Sequence, residues 1–218
     1  MPFPVEKCRG IIYNFQKTAK GPGRRDSVDP TGERLSQPDE ALYRAYLKQG
    51  DKEALGCLLE RYRESLTLFL FGFVRSAEDA EELMLDAFAE LAAGPTAFSG
   101  RSSFKTWLFS VGKHLALKRL RQRRRERPLE EASAADGSAR PETRLLEEER
   151  NRQLYAALDR IAPEYREVLL LQYMEDMAPA DIARVTGRRV KQIYNLIDRG
   201  KLALRAELER MGFSYEAV

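Results

Sequence analysis

Between Arg188 and Asn195 lie five side chains suited to reading nucleic acid: Arg188, Arg189, Lys191, Gln192 and Asn195. Arginine and lysine can address the edge of guanine, and glutamine or asparagine that of adenine, in the major groove. Farther along, Arg199 and Lys201 suit phosphates, which contribute affinity without sequence information. A second basic concentration runs from Lys113 to Arg127, where eight Lys or Arg residues stand against the single Glu126. Phe98, Ser103, Lys105, Lys113, His114, Lys118, Arg119 and Arg121 are candidates there for a positive surface with an aromatic face, of the kind that holds bases outside the stack. Trp107 has two readings: a stacking platform on that surface or, at helical spacing with Phe104 and Val111, a core residue. The run Arg121 to Arg127 suits a phosphate clamp whose affinity falls steeply with salt. The opposite charge gathers between Ser76 and Glu90, with six acids and no base. There Leu85 projects among Asp79, Glu81, Glu82 and Asp86, and an apolar residue ringed by charge suits an interface core with a polar rim.

Other chemistries find little support. No carboxylate cluster, nucleophile-base pair or phosphate-cradling glycine loop stands out, which argues against an enzyme. His114 is the only histidine and Cys8 and Cys57 the only cysteines, so neither a metal centre nor a disulfide framework is expected, and no cofactor. Two reduced thiols, no signal peptide and no apolar run near the roughly 18 residues that span a bilayer predict a cytoplasmic chain without membrane insertion. The net charge of +3 among 33% charged residues says little by itself. Segregation of the two signs predicts different partners for different faces.

Helices must position these groups. Residues 1–38, punctuated by Pro and Gly, are expected to form a disordered tail. Asp51 is placed to cap a long helix in which Leu55, Leu58, Leu59, Tyr62, Leu66, Phe69, Leu70 and Phe73 share a face. Ala80, Leu83, Met84, Ala87, Phe88 and Leu91 form the apolar stripe of a second helix, stopped by Gly94-Pro95. A third starts near Ser102 or Ser103, buries Phe104, Leu108, Val111 and Leu115, and runs into the basic segment. Residues 128–145 read as a flexible linker. Beyond it, Leu154, Leu158 and Ile161 make another stripe, and Pro163 can open a helix whose continuation, Val168 to Tyr173, centres a small core. Pro179 to Val185, a turn at Gly187 and a long helix from about Arg189 to Glu209 make a helix-turn-helix, with Ile182, Ala183, Val190, Ile193 and Ile197 expected to lock it. The predicted fold is all-α, with two small helical domains, 39–127 and 146–212, joined by the linker and followed by a tail at 213–218. A dimeric helix-turn-helix regulator acting alone on palindromic DNA fits the last element equally well.

The motifs in their order narrow this. Pro163-Glu-Tyr-Arg-Glu-Val-Leu-Leu-Leu171 closely resembles the fourth conserved region of bacterial sigma factors, and Lys191-Gln-Ile-Tyr-Asn-Leu-Ile-Asp-Arg-Gly-Lys201 is similar to the recognition helix of their extracytoplasmic-function (ECF) members. Glu78-Asp-Ala-Glu-Glu-Leu-Met-Leu-Asp-Ala-Phe88 resembles that family's polymerase-binding helix, Phe98 to Leu108 its promoter-melting segment and His114 to Arg121 its promoter-reading helix. The resemblance covers roughly Asp39 to Arg210. It implies a non-enzymatic subunit that binds core RNA polymerase through Asp79, Glu81, Glu82, Leu85 and Asp86, on the clamp helices of the largest subunit. It also implies promoter DNA as partner: the minus-10 element melted and held by Phe98, Ser103, Lys105, Trp107, Lys113, His114, Lys118, Arg119 and Arg121, and the minus-35 element read by Arg188, Arg189, Lys191, Gln192, Asn195, Arg199 and Lys201. An anti-sigma factor that covers these surfaces is a further implied partner. Leu85 replaces a Gln common in the family, His114 and Lys118 stand for an Asn and an Asp, and Arg189 stands where a Ser or Thr cap is usual, which predicts a less firmly fixed start to the recognition helix.

Overall fold

The computed structural model describes residues 36–93, 98, 100–126 and 148–212, and every regular element among them is helical. The expected linker, the C-terminal tail and all but the last three residues of the expected N-terminal tail lie outside the described residues. The described helices divide between two compact units, one within residues 25–140 and the other within 141–218.

The first unit holds α1 (Asp39–Gln49), α2 (Lys52–Val74), α3 (Ala77–Ala93) and α4 (Phe104–Glu126). The Asp51 carboxylate caps α2, accepting from the amides of Glu53 and Ala54 at 3.1 Å each, which satisfies two donors that a helix start leaves orphaned. The apolar stripes of α2 and α3 meet over Leu58, Leu66, Leu70, Leu83 and Leu91, all within 2% of complete burial. Helix α4 closes the core with Phe104, Leu108 and Phe109. Its approach to α2 depends on Gly112, where a Cβ would sit 3.0 Å from Leu66 Cδ1 and 3.3 Å from Leu70 Cδ2.

Helix α1 has no counterpart among the helices expected from the sequence, and it ties three other helices together. Asp39 accepts from Arg61 and from the Tyr62 hydroxyl on α2. Glu40 accepts from the amide of Phe104 at 3.0 Å, at the first residue of α4. The hydroxyls of Tyr43 and Tyr46 donate to the carbonyls of Leu91 (3.5 Å) and Ala92 (3.0 Å), near the C-terminal end of α3, where helical carbonyls have no intrahelical partner.

The second unit contains α5 (Glu148–Arg160), α6 (Pro163–Leu169), α7 (Pro179–Thr186) and α8 (Val190–Arg210). Leu154, Ala157 and Leu158 of α5 are buried together with Ile161. Pro163 opens α6, where its missing N–H costs nothing. The chain then widens into a π-helical turn, Leu170–Met174, which carries Leu171 into complete burial. Helix α8 crosses α6 closely at Gly200, whose Cβ would lie 3.3 Å from both Leu169 Cγ and Tyr165 Cβ. Gly187 takes φ 71 and lets the chain leave α7 toward α8, while Ile182, Ile193 and Ile197 are buried behind the turn. Val190, expected to join them, is 41% exposed. It is the first residue of α8.

Candidate nucleic-acid and protein interfaces

Helix α3 has two unlike sides because its apolar residues recur with helical period. Ala80, Leu83, Met84, Ala87, Phe88 and Leu91 are all buried, which turns Glu78, Glu81, Glu82, Leu85, Asp86 and Glu90 outward. Leu85 is 55% exposed amid those carboxylates.

Asp79, grouped with them in the sequence, is placed differently: it is 7% exposed and turns toward α4. Arg123 Nη2 donates to both its oxygens, at 2.5 and 2.6 Å, and Arg119 Nη1 lies 3.3 Å from Oδ1. Arg119 also donates to Glu82 at 2.9 Å and has Asp86 at 3.9 Å. The structure therefore joins the acidic and basic runs in one network, in which Arg119 neutralises part of the α3 face. Burial pushes the Asp79 carboxyl up, but the hydrogen bonds with Arg123 and Ser76 and the charges of Arg123 and Arg119 leave it below its ordinary 3.8. The hydrogen bond and charge of Arg119 likewise hold exposed Glu82 low.

A depressed carboxylate stabilises the fold above its unfolded pKa and loses that contribution as pH falls through the folded value. The melting advantage of the wild type over Asp79→Asn is thus expected to be full well above pH 3.8 and to shrink progressively as pH falls below it, toward about pH 1. Thermal melts across that range check it, and an advantage independent of pH would contradict it.

Helix α4 begins at a cap that also uses a predicted site residue. Ser103 Oγ accepts from the Thr106 amide at 3.2 Å and lies 2.8 Å from the Thr106 hydroxyl. Phe98 and Trp107 are half-buried and pack with Tyr43 and Phe104, the centroid separations running from 5.3 to 6.0 Å. Trp107 thus has part of its ring in the cluster and part at the surface. Lys105 lies over the Tyr62 ring at 5.8 Å. His114 and Lys118 are exposed, Lys113 is half-buried and exposed Arg121 donates to the Leu117 carbonyl at 3.1 Å. Among the described residues no group of His, Cys, Asp and Glu could hold a metal ion. No described helix is long and apolar enough to cross a membrane.

On the second unit, α8 starts without a serine or threonine cap, yet its first turn is held. Gln192 reaches back and its Oε1 accepts from the amide of Arg189 at 2.9 Å, half of a capping box. This corrects the expectation of a loosely fixed start. The bond takes one of the two lone pairs on that oxygen and leaves the Gln192 amide nitrogen as a donor. Arg188, Arg189, Lys191, Asn195 and Arg199 are all exposed. Lys201 is held back, 3.8 Å from Asp198 and 5.7 Å from the Tyr173 ring centroid. Tyr194, which is not among the candidate site residues read from the sequence, is 56% exposed between Lys191 and Asn195.

Comparison with known proteins adds an independent line. Residues 58–126 match the family described as Sigma-70 region 2, and residues 151–204 the family described as Sigma-70, region 4. The ECF RNA polymerase sigma factor SigX of Bacillus subtilis is 27% identical over 165 residues, covering 72% of this chain and 85% of its own length. The RNA polymerase sigma-H factor of Pseudomonas aeruginosa is 24% identical over 186 residues, 80% of this chain and 96% of its own. Among solved structures, CnrH in complex with the cytosolic domain of CnrY aligns with a TM-score of 0.56 at 23% identity, covering 79% of this chain and 97% of that one. The sigma factor RpoE in complex with the anti-sigma factor NepR, from Bartonella quintana, aligns at 0.60 and 21%, covering 69% and 94%. At these identities the structural likeness is one of fold.

Proposed function

The chain belongs to the sigma-70 family, in its ECF group, and on that premise we propose how its two helical units divide the work of a sigma factor that binds core RNA polymerase and directs promoter-specific initiation. The supporting observation is the order of the parts: a region 2 match on the unit with the acidic α3 face, then a region 4 match on the unit with the helix-turn-helix. Residues 39–127 act as the polymerase-binding and melting domain, 128–145 as the linker and 146–212 as the duplex-reading domain.

Leu85, with Glu81, Glu82 and Asp86 around it, docks on the clamp helices of the largest subunit, where acidic side chains meeting basic ones improve encounter rate and orientation. Asp79 supports this surface from inside, through Arg119 and Arg123. The half-buried aromatic cluster and the exposed cations of α4 hold the melted minus-10 strand. Arg188, Arg189, Lys191 and Asn195 read the minus-35 duplex, with Arg199 on phosphate. The linker turns two modest contacts into one stronger attachment by raising their effective concentration. The chain serves in the cytoplasm as a non-enzymatic subunit, with an anti-sigma factor as partner.

Run-off transcription with purified core enzyme and genomic promoter fragments tests this. Start sites that appear only when the chain is added support it. Unaltered initiation together with failure to co-purify with core would overturn it. Lys191→Ala is expected to cost about 1–3 kcal/mol on promoters whose minus-35 guanine it contacts. An equal loss on every sequence would assign Lys191 to phosphate instead.

A further inference from the structure

We infer that Tyr194 is a specificity-determining residue that reads the C5-methyl group of a thymine in the minus-35 element, with Val190 completing the apolar contact. This rests on the reading of α8 as the duplex-reading helix. Recognition helices present their N-terminal residues to base edges; Val190 is the first residue of α8 and Tyr194 lies one turn later. The two are 41% and 56% exposed, and among the described residues the Tyr194 ring and hydroxyl have no ring or hydrogen-bond partner. A lone exposed apolar residue is ordinary. This pair is set apart by its surroundings, since Arg188, Arg189, Lys191 and Arg199 are exposed around it and Asn195 adjoins it.

Such a cationic border suits a polyanion rather than another apolar protein face. Asp198, the one acid on this side, is drawn toward Lys201. Within the major groove the one apolar group at a base edge is the thymine methyl, which an aromatic side chain can contact. Leu202 is also exposed, at 66%, but lies two further turns along α8 and outside the entering part.

Replacing thymines of the upstream element by uracil, one at a time, removes the methyl group alone. The probe is the promoter fragment that the holoenzyme uses best in run-off transcription, bound by full-length chain with core polymerase. One replacement is expected to weaken wild-type binding about four-fold, the worth of one buried methyl group. Tyr194→Ala should be indifferent to that replacement, whereas Tyr194→Phe, which keeps the ring, should remain sensitive. As Tyr194 is exposed, both variants should keep their helix content in circular dichroism.

If no uracil weakens the wild type, or the element contains no A·T pair, while Lys191→Ala still weakens binding, the methyl contact is wrong and the duplex-reading role of α8 stands. If Lys191→Ala and Tyr194→Ala both leave binding unchanged, that underlying role fails as well. A uniform loss in Tyr194→Phe, on thymine and uracil alike, would overturn the proposal in favour of a hydroxyl on phosphate. Weaker association of Tyr194→Ala with core polymerase in the absence of DNA would overturn it in favour of a protein surface.

Discussion

Changing Leu85 and Asp86 together to lysine is expected to abolish association with core polymerase while leaving helix content intact. Both side chains point out of the fold, Leu85 at 55% exposure, and the core beneath them is built from Leu83, Met84, Ala87 and Phe88. The stability cost should therefore be small. At the interface two effects combine. The apolar centre is lost, and truncation of such a centre typically costs at least about 2 kcal/mol. Two cations also replace a neutral group and an acid opposite the basic surface proposed for the partner, and juxtaposed like charges would cost several kcal/mol more. A weakening of at least about 100-fold follows, where each 1.4 kcal/mol is ten-fold. Co-purification and fluorescence titration with core enzyme measure it. Unchanged association would remove the interface from α3.

Phe104→Ala should have the largest effect on stability. Phe104 is completely buried at the first residue of α4, and its ring meets those of Tyr43, Tyr62, Phe98 and Trp107 at 5.3 to 6.0 Å. Helices α1, α2 and α4 all contribute to that cluster, so no single neighbour can move in to fill the space. Large-to-small changes at such sites cost about 3–5 kcal/mol, a large part of the roughly 5–15 kcal/mol that holds a domain together. For a unit of this size the melting temperature should fall by at least about 12 °C. Calorimetry should show the fall in the transition of the N-terminal unit only. A variant that melts like the wild type would mean that the aromatic cluster contributes little.

Much of this was legible in the amino-acid order. The stripes of α2, α3 and α4 repeat with strict helical period, and every apolar position predicted on α3 is buried. What escaped detection depends on contacts between segments distant along the chain. Helix α1 is short, and its polar residues act on partners 22 to 64 positions away, which no local pattern reveals. Asp79 shares a charged run with Glu81 and Glu82, but it is buried against α4 with two arginines on its carboxylate, whereas they stay exposed. Gln192 has a further role that residue type does not show, because its oxygen holds the amide of Arg189. Val190 has the right period yet is 41% exposed, since periodicity gives the direction of a side chain and not what covers it.

The ties made by α1 bear on where this protein can be cut. The region 2 match begins at residue 58, part-way along α2, yet Asp39, Glu40, Tyr43 and Tyr46 lie upstream of it and bind α2, α3 and α4. An excised piece starting at the match boundary would leave the last carbonyls of α3 and the first amide of α4 to water, and strip the cover from Tyr62 and Phe104. The smallest autonomous fragment of this half must instead begin upstream of Asp39, so the homologous segment and the cooperative folding unit have different borders.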